Sequence, residues 1–97
     1  VHVKSGWLGF IDSRNTDIND YYNGYAGNDT PVDAVEIYYY TPDDIINSSG
    51  YHYAFYRVSP VNRDYYSLQK DNSTYNGMDG YAGIFGHFID RIQIDIR

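Results

Sequence analysis

The residues in this 97-residue chain that could do chemistry are carboxylates, three histidines and a crowd of tyrosines set among amides. Asp20 and Asp79 lie in two separate polar loops. Two carboxylates held about 5 to 10 Å apart across a cleft would suit glycoside hydrolysis. A catalytic reading of the two symmetric aspartates Asp33 and Asp90 is weaker, because nothing else in the repeat supplies an acid-base partner of different environment. His2, His52 and His87 show neither an i,i+4 nor an HxH spacing, so a metal site would need long-range convergence; core or surface roles are expected. Asp71-Asn72-Ser73-Thr74-Tyr75-Asn76-Gly77 resembles a calcium loop in composition. Tyr75 occupies a ligand position, Gly77 falls one place late, and no flanking helices are indicated, so no metal and no cofactor are expected. There is no GxSxG, no phosphate-cradling glycine loop followed by Lys, and no Cys nucleophile. The N-x-Ser/Thr triplets starting at Asn28, Asn47 and Asn72 are what an Asn-rich chain produces by accident.

A positive signal remains in two loops, Asp12 to Gly27 and Lys70 to Gly83, where aromatics, amides and carboxylates are mixed. Flat rings can stack on sugar rings while Asn and Asp side chains meet the hydroxyls. Tyr21, Tyr22, Asn23, Tyr66, Tyr75 and Asn76 are therefore candidate ligand-binding residues, with ordinary packing as the alternative. Trp7, Phe10 and Leu68 are expected in the core, and Tyr25 and Tyr81 are expected to pack the turns that carry them.

Something must position those loops, and length allows one domain with a modest core. Aromatics make up 19% of the chain, with 13 Tyr and a single Glu, a composition that favours strands and wet binding surfaces alike. A net charge of -6 disfavours attraction to nucleic acid or anionic lipid. No apolar run approaches the length of a membrane span, and no signal peptide is visible in this fragment. The start at Val1, directly on a strand pattern, suggests a piece of a longer protein. With no Cys the fold does without disulfides, and the compartment stays open.

Alternation predicts strands at Val1 to Lys4, Trp7 to Ile11, Val32 to Tyr40, Tyr51 to Val58, Tyr65 to Gln69 and Phe88 to Ile96. Thr41 as cap, Pro42 at the first helical position and Asp43 and Asp44 in the first turn predict one short helix, stopped by Gly50. On the third strand, Glu36 and Tyr38 should lie on a partly exposed or partner-facing side. NGYAG at 23–27 and DGYAG at 79–83 each precede an Asp and an alternating strand. The pattern reads as two halves, about 1–40 and 53–97, related by duplication and approximate twofold symmetry. The expected fold is mainly β: two packed antiparallel sheets with one short helix linking the halves. Asp33 and Asp90 should turn inward, each accepting N–H groups from its own Tyr-Ala-Gly turn, while Gly27 and Gly83 supply the positive φ such turns need.

The segments HVKSGWLGFI, NGYAGNDTPVDAVEIYYYTP, YRVSPVNRDYYSLQKDN and NGMDGYAGIFGHFIDRIQI together resemble the C-terminal cell-wall-binding domain of clostridial phage endolysins and related autolysins. The likeness covers the whole chain, with Phe10 and Leu68 standing where the pattern has Trp. It implies a noncatalytic, β-rich module that holds a lysozyme-like glycosidase or amidase, in the same parent chain, on Gram-positive cell-wall polysaccharide or peptidoglycan. It also implies a phage-encoded product that leaves the host cytoplasm at lysis and acts at the wall. A small carbohydrate-active enzyme domain and an oligomerisation domain are the alternatives, and a homodimer is a further open partner.

Overall fold

The computed structural model describes residues 1–22 and 24–97. Two short strands, β1 (His2–Val3) and β2 (Gly6–Trp7), form a hairpin, with Gly6 at φ 119° where the chain reverses. β3 (Val32–Val35) leads through an irregular stretch to α1 (Asp43–Ser49). β4 (Ala54–Pro60), β5 (Gln69–Lys70), β6 (Ala82–Gly83) and β7 (Ile89–Ile96) complete the chain. All pairings are antiparallel, giving one sheet of order β2-β1-β3-β6 and a second of order β5-β4-β7.

The fold is mainly β, with two antiparallel sheets and one short helix, as the alternation predicts. In β2-β1-β3 and in β5-β4-β7 the first strand in sequence lies in the middle. The likeness of the halves stops there, because β6, from the second half, crosses over to pair with β3 of the first sheet. Duplication therefore stays a reading of the sequence. Most strands are also shorter than the alternation suggests. Residues 36–40 leave the ladder, with Glu36 half-buried and Tyr38 exposed.

The core is small: Val35, Ala54, Tyr56, Val58 and Ala82, flanked by half-buried Ile37, Tyr39, Tyr66 and Ile89 among others. A compact protein of this mass would expose about 5,700 Å², whereas this one exposes 7,017 Å² and measures 41 × 35 × 19 Å. Large apolar and aromatic side chains, among them Phe10, Ile18 and Tyr22, are left exposed.

Buried polar groups tie the layers together. Tyr56 is fully buried; its hydroxyl donates to the Asp71 carbonyl (2.6 Å) and accepts the Ile37 N–H (3.0 Å). Burial pushes its pKa up to about 12. The Asp71 side chain, 7% exposed, accepts the N–H groups of Ala54 (2.8 Å) and Tyr39 (3.2 Å) through one oxygen. One carboxylate thus replaces a ladder partner for two segments. The expected Thr41 cap is corrected: its hydroxyl exchanges hydrogen bonds with the backbone of His52 (3.0 Å each way), so it closes the base of the α1 excursion. Pro42 precedes the helix, and Gly50, at φ 87°, ends it by donating to the Ile46 carbonyl.

Candidate functional site

The tight turn between β1 and β2 places His2 directly opposite Trp7. The crossing of β6 brings Tyr81 and Phe85 to the same place, and four rings meet. Phe85 lies parallel to the His2 ring (centroids 3.8 Å apart, planes 9° apart) and to Tyr81 (5.1 Å, 9°). Trp7 meets these rings edge-on, 5.1 Å from His2 and 5.4 Å from Tyr81. Offset and edge-to-face contacts satisfy the ring quadrupoles. Trp7 (44%) and Phe85 (46%) nevertheless keep almost half of their surface in solvent.

Asp33 fixes this cluster. Its Oδ1 lies 2.6 Å from His2 Nδ1 and its Oδ2 accepts the Gly86 N–H at 2.8 Å, so one carboxylate holds both the imidazole and the loop that carries Phe85. Burial raises the pKa of this carboxyl, but the Gly86 N–H and His2 outweigh it and leave the value below the ordinary carboxylate range. The expected lock is therefore real at Asp33 with a different partner: the N–H comes from the loop after the second Gly-Tyr-Ala-Gly, not from the turn at 25–27. Gly83 is needed for the same crossing. At φ 120°, a Cβ there would run into the Asp33 carbonyl oxygen and lie 2.8 Å from the Ala34 Cα.

Asp90 is a correction. It is exposed, and among the described residues its carboxylate meets the neighbouring Arg91 at 3.3 Å and no strand pairs beyond β7 as β6 pairs with β3. Gly27 has φ 142°, as expected of a turn glycine, yet nothing but the Tyr25 ring approaches the position of its absent Cβ.

Tyr81 joins the ring cluster to a groove of about 390 Å³ whose walls include Tyr66, Gln69, Asn76, Asp79 and Ile84. Two of the sequence candidates, Tyr66 and Asn76, meet here, with Tyr66 also packed against the core. Tyr21 (87%), Tyr22 (90%) and Tyr75 (77%) project into solvent and line neither this groove nor the ring cluster. Asn23 lies outside the described residues. Trp7, Phe10 and Leu68 are exposed rather than in the core, a correction that follows from the short strands and small core; Tyr25, 45% exposed, lies against Gly27 in its own turn, and Tyr81 is half-buried. Asp79 lines the groove, while Asp20 accepts the Tyr22 N–H within its own loop (2.9 Å), so the groove holds only one of the two carboxylates considered for hydrolysis.

A separate concavity of about 470 Å³ is walled by Phe10, Tyr38, Tyr40, Asp12, Arg14 and Asn72. There Arg14 forks onto Asp12 (3.0 and 2.7 Å) and lies 4.2 Å over the Tyr40 ring. The Arg14 hydrogen bonds hold the Asp12 carboxyl down at about 2.

Sequence reasoning missed His2, Phe85 and Asp71 as organising residues. The sequence suggests a turn at Ser5-Gly6, which would set His2 opposite Gly9; the chain instead turns at Lys4-Ser5, and that one-residue difference is what brings His2 opposite Trp7. Comparison with family models, with curated proteins and with solved structures finds no match to this chain. Among the described residues no helix is long and apolar enough to cross a membrane.

Proposed function

We propose that this chain is a noncatalytic module that attaches a peptidoglycan-degrading enzyme to the clostridial cell wall by binding wall carbohydrate. The observation that carries the reading is the continuity of the Trp7, Phe85 and Tyr81 rings with the polar groove of Asn76, Asp79 and Gln69. A pyranose presents C–H groups on one face and hydroxyls at its rim. The electron-rich ring faces attract the first, and an amide and a carboxylate beside them can bond the second. The likeness to endolysin wall-binding domains supports the same assignment, and the net charge of -6 speaks against a phosphate-rich partner.

The test is sedimentation of the isolated chain with intact clostridial walls, with reducing ends measured in the supernatant. The parent should pellet, and should do so equally in 0.5 M salt, since stacking does not depend on long-range charge. Trp7→Ala combined with Phe85→Ala should weaken binding about tenfold or more. If Tyr22→Ala with Tyr75→Ala abolishes pelleting while the first pair does not, the contact lies in the outer loops. Release of reducing ends by the chain alone would overturn the noncatalytic reading.

A further inference from the structure

β7 is the longest strand and the outer strand of its sheet; among the described residues no strand pairs with its free side. The side chains of Ile92 (45%), Ile94 (55%) and Ile96 (44%) lie on the core-facing side, opposite Val58, Tyr56 and Ala54, yet remain about half exposed. The backbone that this edge offers can be read from its inner pairing. Tyr53 and Arg97 exchange both backbone hydrogen bonds, at 2.8 and 2.9 Å. The register then runs without a shift from Ala54↔Ile96 to Ser59↔Arg91. Because the direction of N–H and C=O alternates along an antiparallel strand, Asp95, Gln93 and Arg91 bond inward to β4. The N–H and C=O groups of Ile92, Ile94 and Ile96 therefore point to the open edge. A long open edge with apolar neighbours is a template for pairing with another strand.

The edge is complementary to itself. Arg91-Ile92-Gln93-Ile94-Asp95 has the same apolar and polar order read backwards, with the two charges exchanged. We propose that β7 pairs antiparallel with β7 of a second copy of this chain, about a twofold axis at Gln93. In that register Ile92 faces the partner's Ile94 as a hydrogen-bonded pair, and Arg91 faces the partner's Asp95 as a non-hydrogen-bonded pair, where side chains come closest. Twofold symmetry makes each contact twice. A slip of two residues one way sets Arg91 against the partner's Arg97, and the other way sets it against Gln93, so either slip loses the Arg–Asp pairs. A slip of one residue sets the isoleucine face against the polar face. The pairing joins two three-stranded sheets into one of six and gives each assembly two ring clusters. It does not depend on what those clusters bind, although two linked sites would raise retention on a repetitive surface.

Sedimentation equilibrium of the 97-residue chain tests this directly. The parent should show a concentration-dependent monomer–dimer equilibrium. Asp95→Arg sets two arginines opposite each other, and Arg91→Asp sets two aspartates; each should raise the dissociation constant about tenfold or more. The double exchange Arg91→Asp/Asp95→Arg restores both opposite-charge contacts and should return it to within a few-fold of the parent. Both side chains are exposed, so far-UV circular dichroism should be unchanged throughout. A parent that stays monomeric to millimolar concentration, single variants that dimerise like the parent, or a double exchange that fails to rescue would each overturn the proposal.

Discussion

Replacing Asp33 by Ala and, separately, Asp90 by Ala separates the two aspartates that the sequence presents as equivalent. Asp33 is 3% exposed and accepts from His2 and Gly86; its removal leaves the Gly86 N–H and the imidazole nitrogen without their acceptor. Each unmet donor costs about 1–3 kcal/mol, so the loss should be about 2–5 kcal/mol against a total of roughly 5–15. For a domain of this size that corresponds to roughly 10 to 25 °C in Tm. Asp90 has a side chain 47% exposed and one neighbouring arginine, so its removal should change stability by less than about 0.5 kcal/mol. Urea unfolding followed by circular dichroism measures both. Trp7 is the only tryptophan and sits in the ring cluster, so its emission should respond to Asp33→Ala even below the unfolding transition. Equal effects of the two substitutions, or an Asp33→Ala protein within 1 kcal/mol of the parent, would refute the assignment of the lock.

The glycines should separate in the same way. Gly83→Ala forces a Cβ into the backbone of β3 and should cost more than about 3 kcal/mol, whereas Gly27→Ala meets only backbone strain of about 1–2 kcal/mol; thermal melts compare them. Asp71→Ala strips the acceptor from Ala54 and Tyr39 and should cost about 2–4 kcal/mol. Asp71→Asn keeps a carbonyl oxygen and tolerates the φ of 42°, and should recover at least half of that loss in urea titrations. Because the folded-state pKa of Asp33 is depressed, its contribution is fully present above the unfolded value of about 3.9 and is lost as pH falls through the folded value. Stability measured from pH 6 to pH 2 should thus fall less steeply in Asp33→Asn than in the parent, and parallel curves would contradict the cause assigned to the shift.

The difference between Asp33 and Asp90 bears on function. A loop crosses one sheet and carries Phe85 onto His2; the corresponding region of the other sheet is left as the free edge of β7. Similar local sequences thus finish as a ring cluster on one side and an open strand on the other.

Local periodicity alone placed the mainly β class, the last strand at about Phe88 to Ile96, the short helix beginning around Pro42 and its stop at Gly50, because each depends on residues a few positions apart. Tertiary structure decided the rest. Asp33 is buried and Asp90 exposed although both begin an alternating strand, since burial depends on which distant loop covers the carboxylate. Asp71, inside a polar loop, became a core acceptor because Tyr39 and Ala54 arrive there from other elements. Trp7 and Phe10 stayed in solvent because a core of Tyr56 and four small-to-medium side chains has no room for them. Which face a side chain takes is set by its neighbours in sequence; whether that face meets protein or water is set by pairings between residues far apart in the chain, which no local pattern encodes.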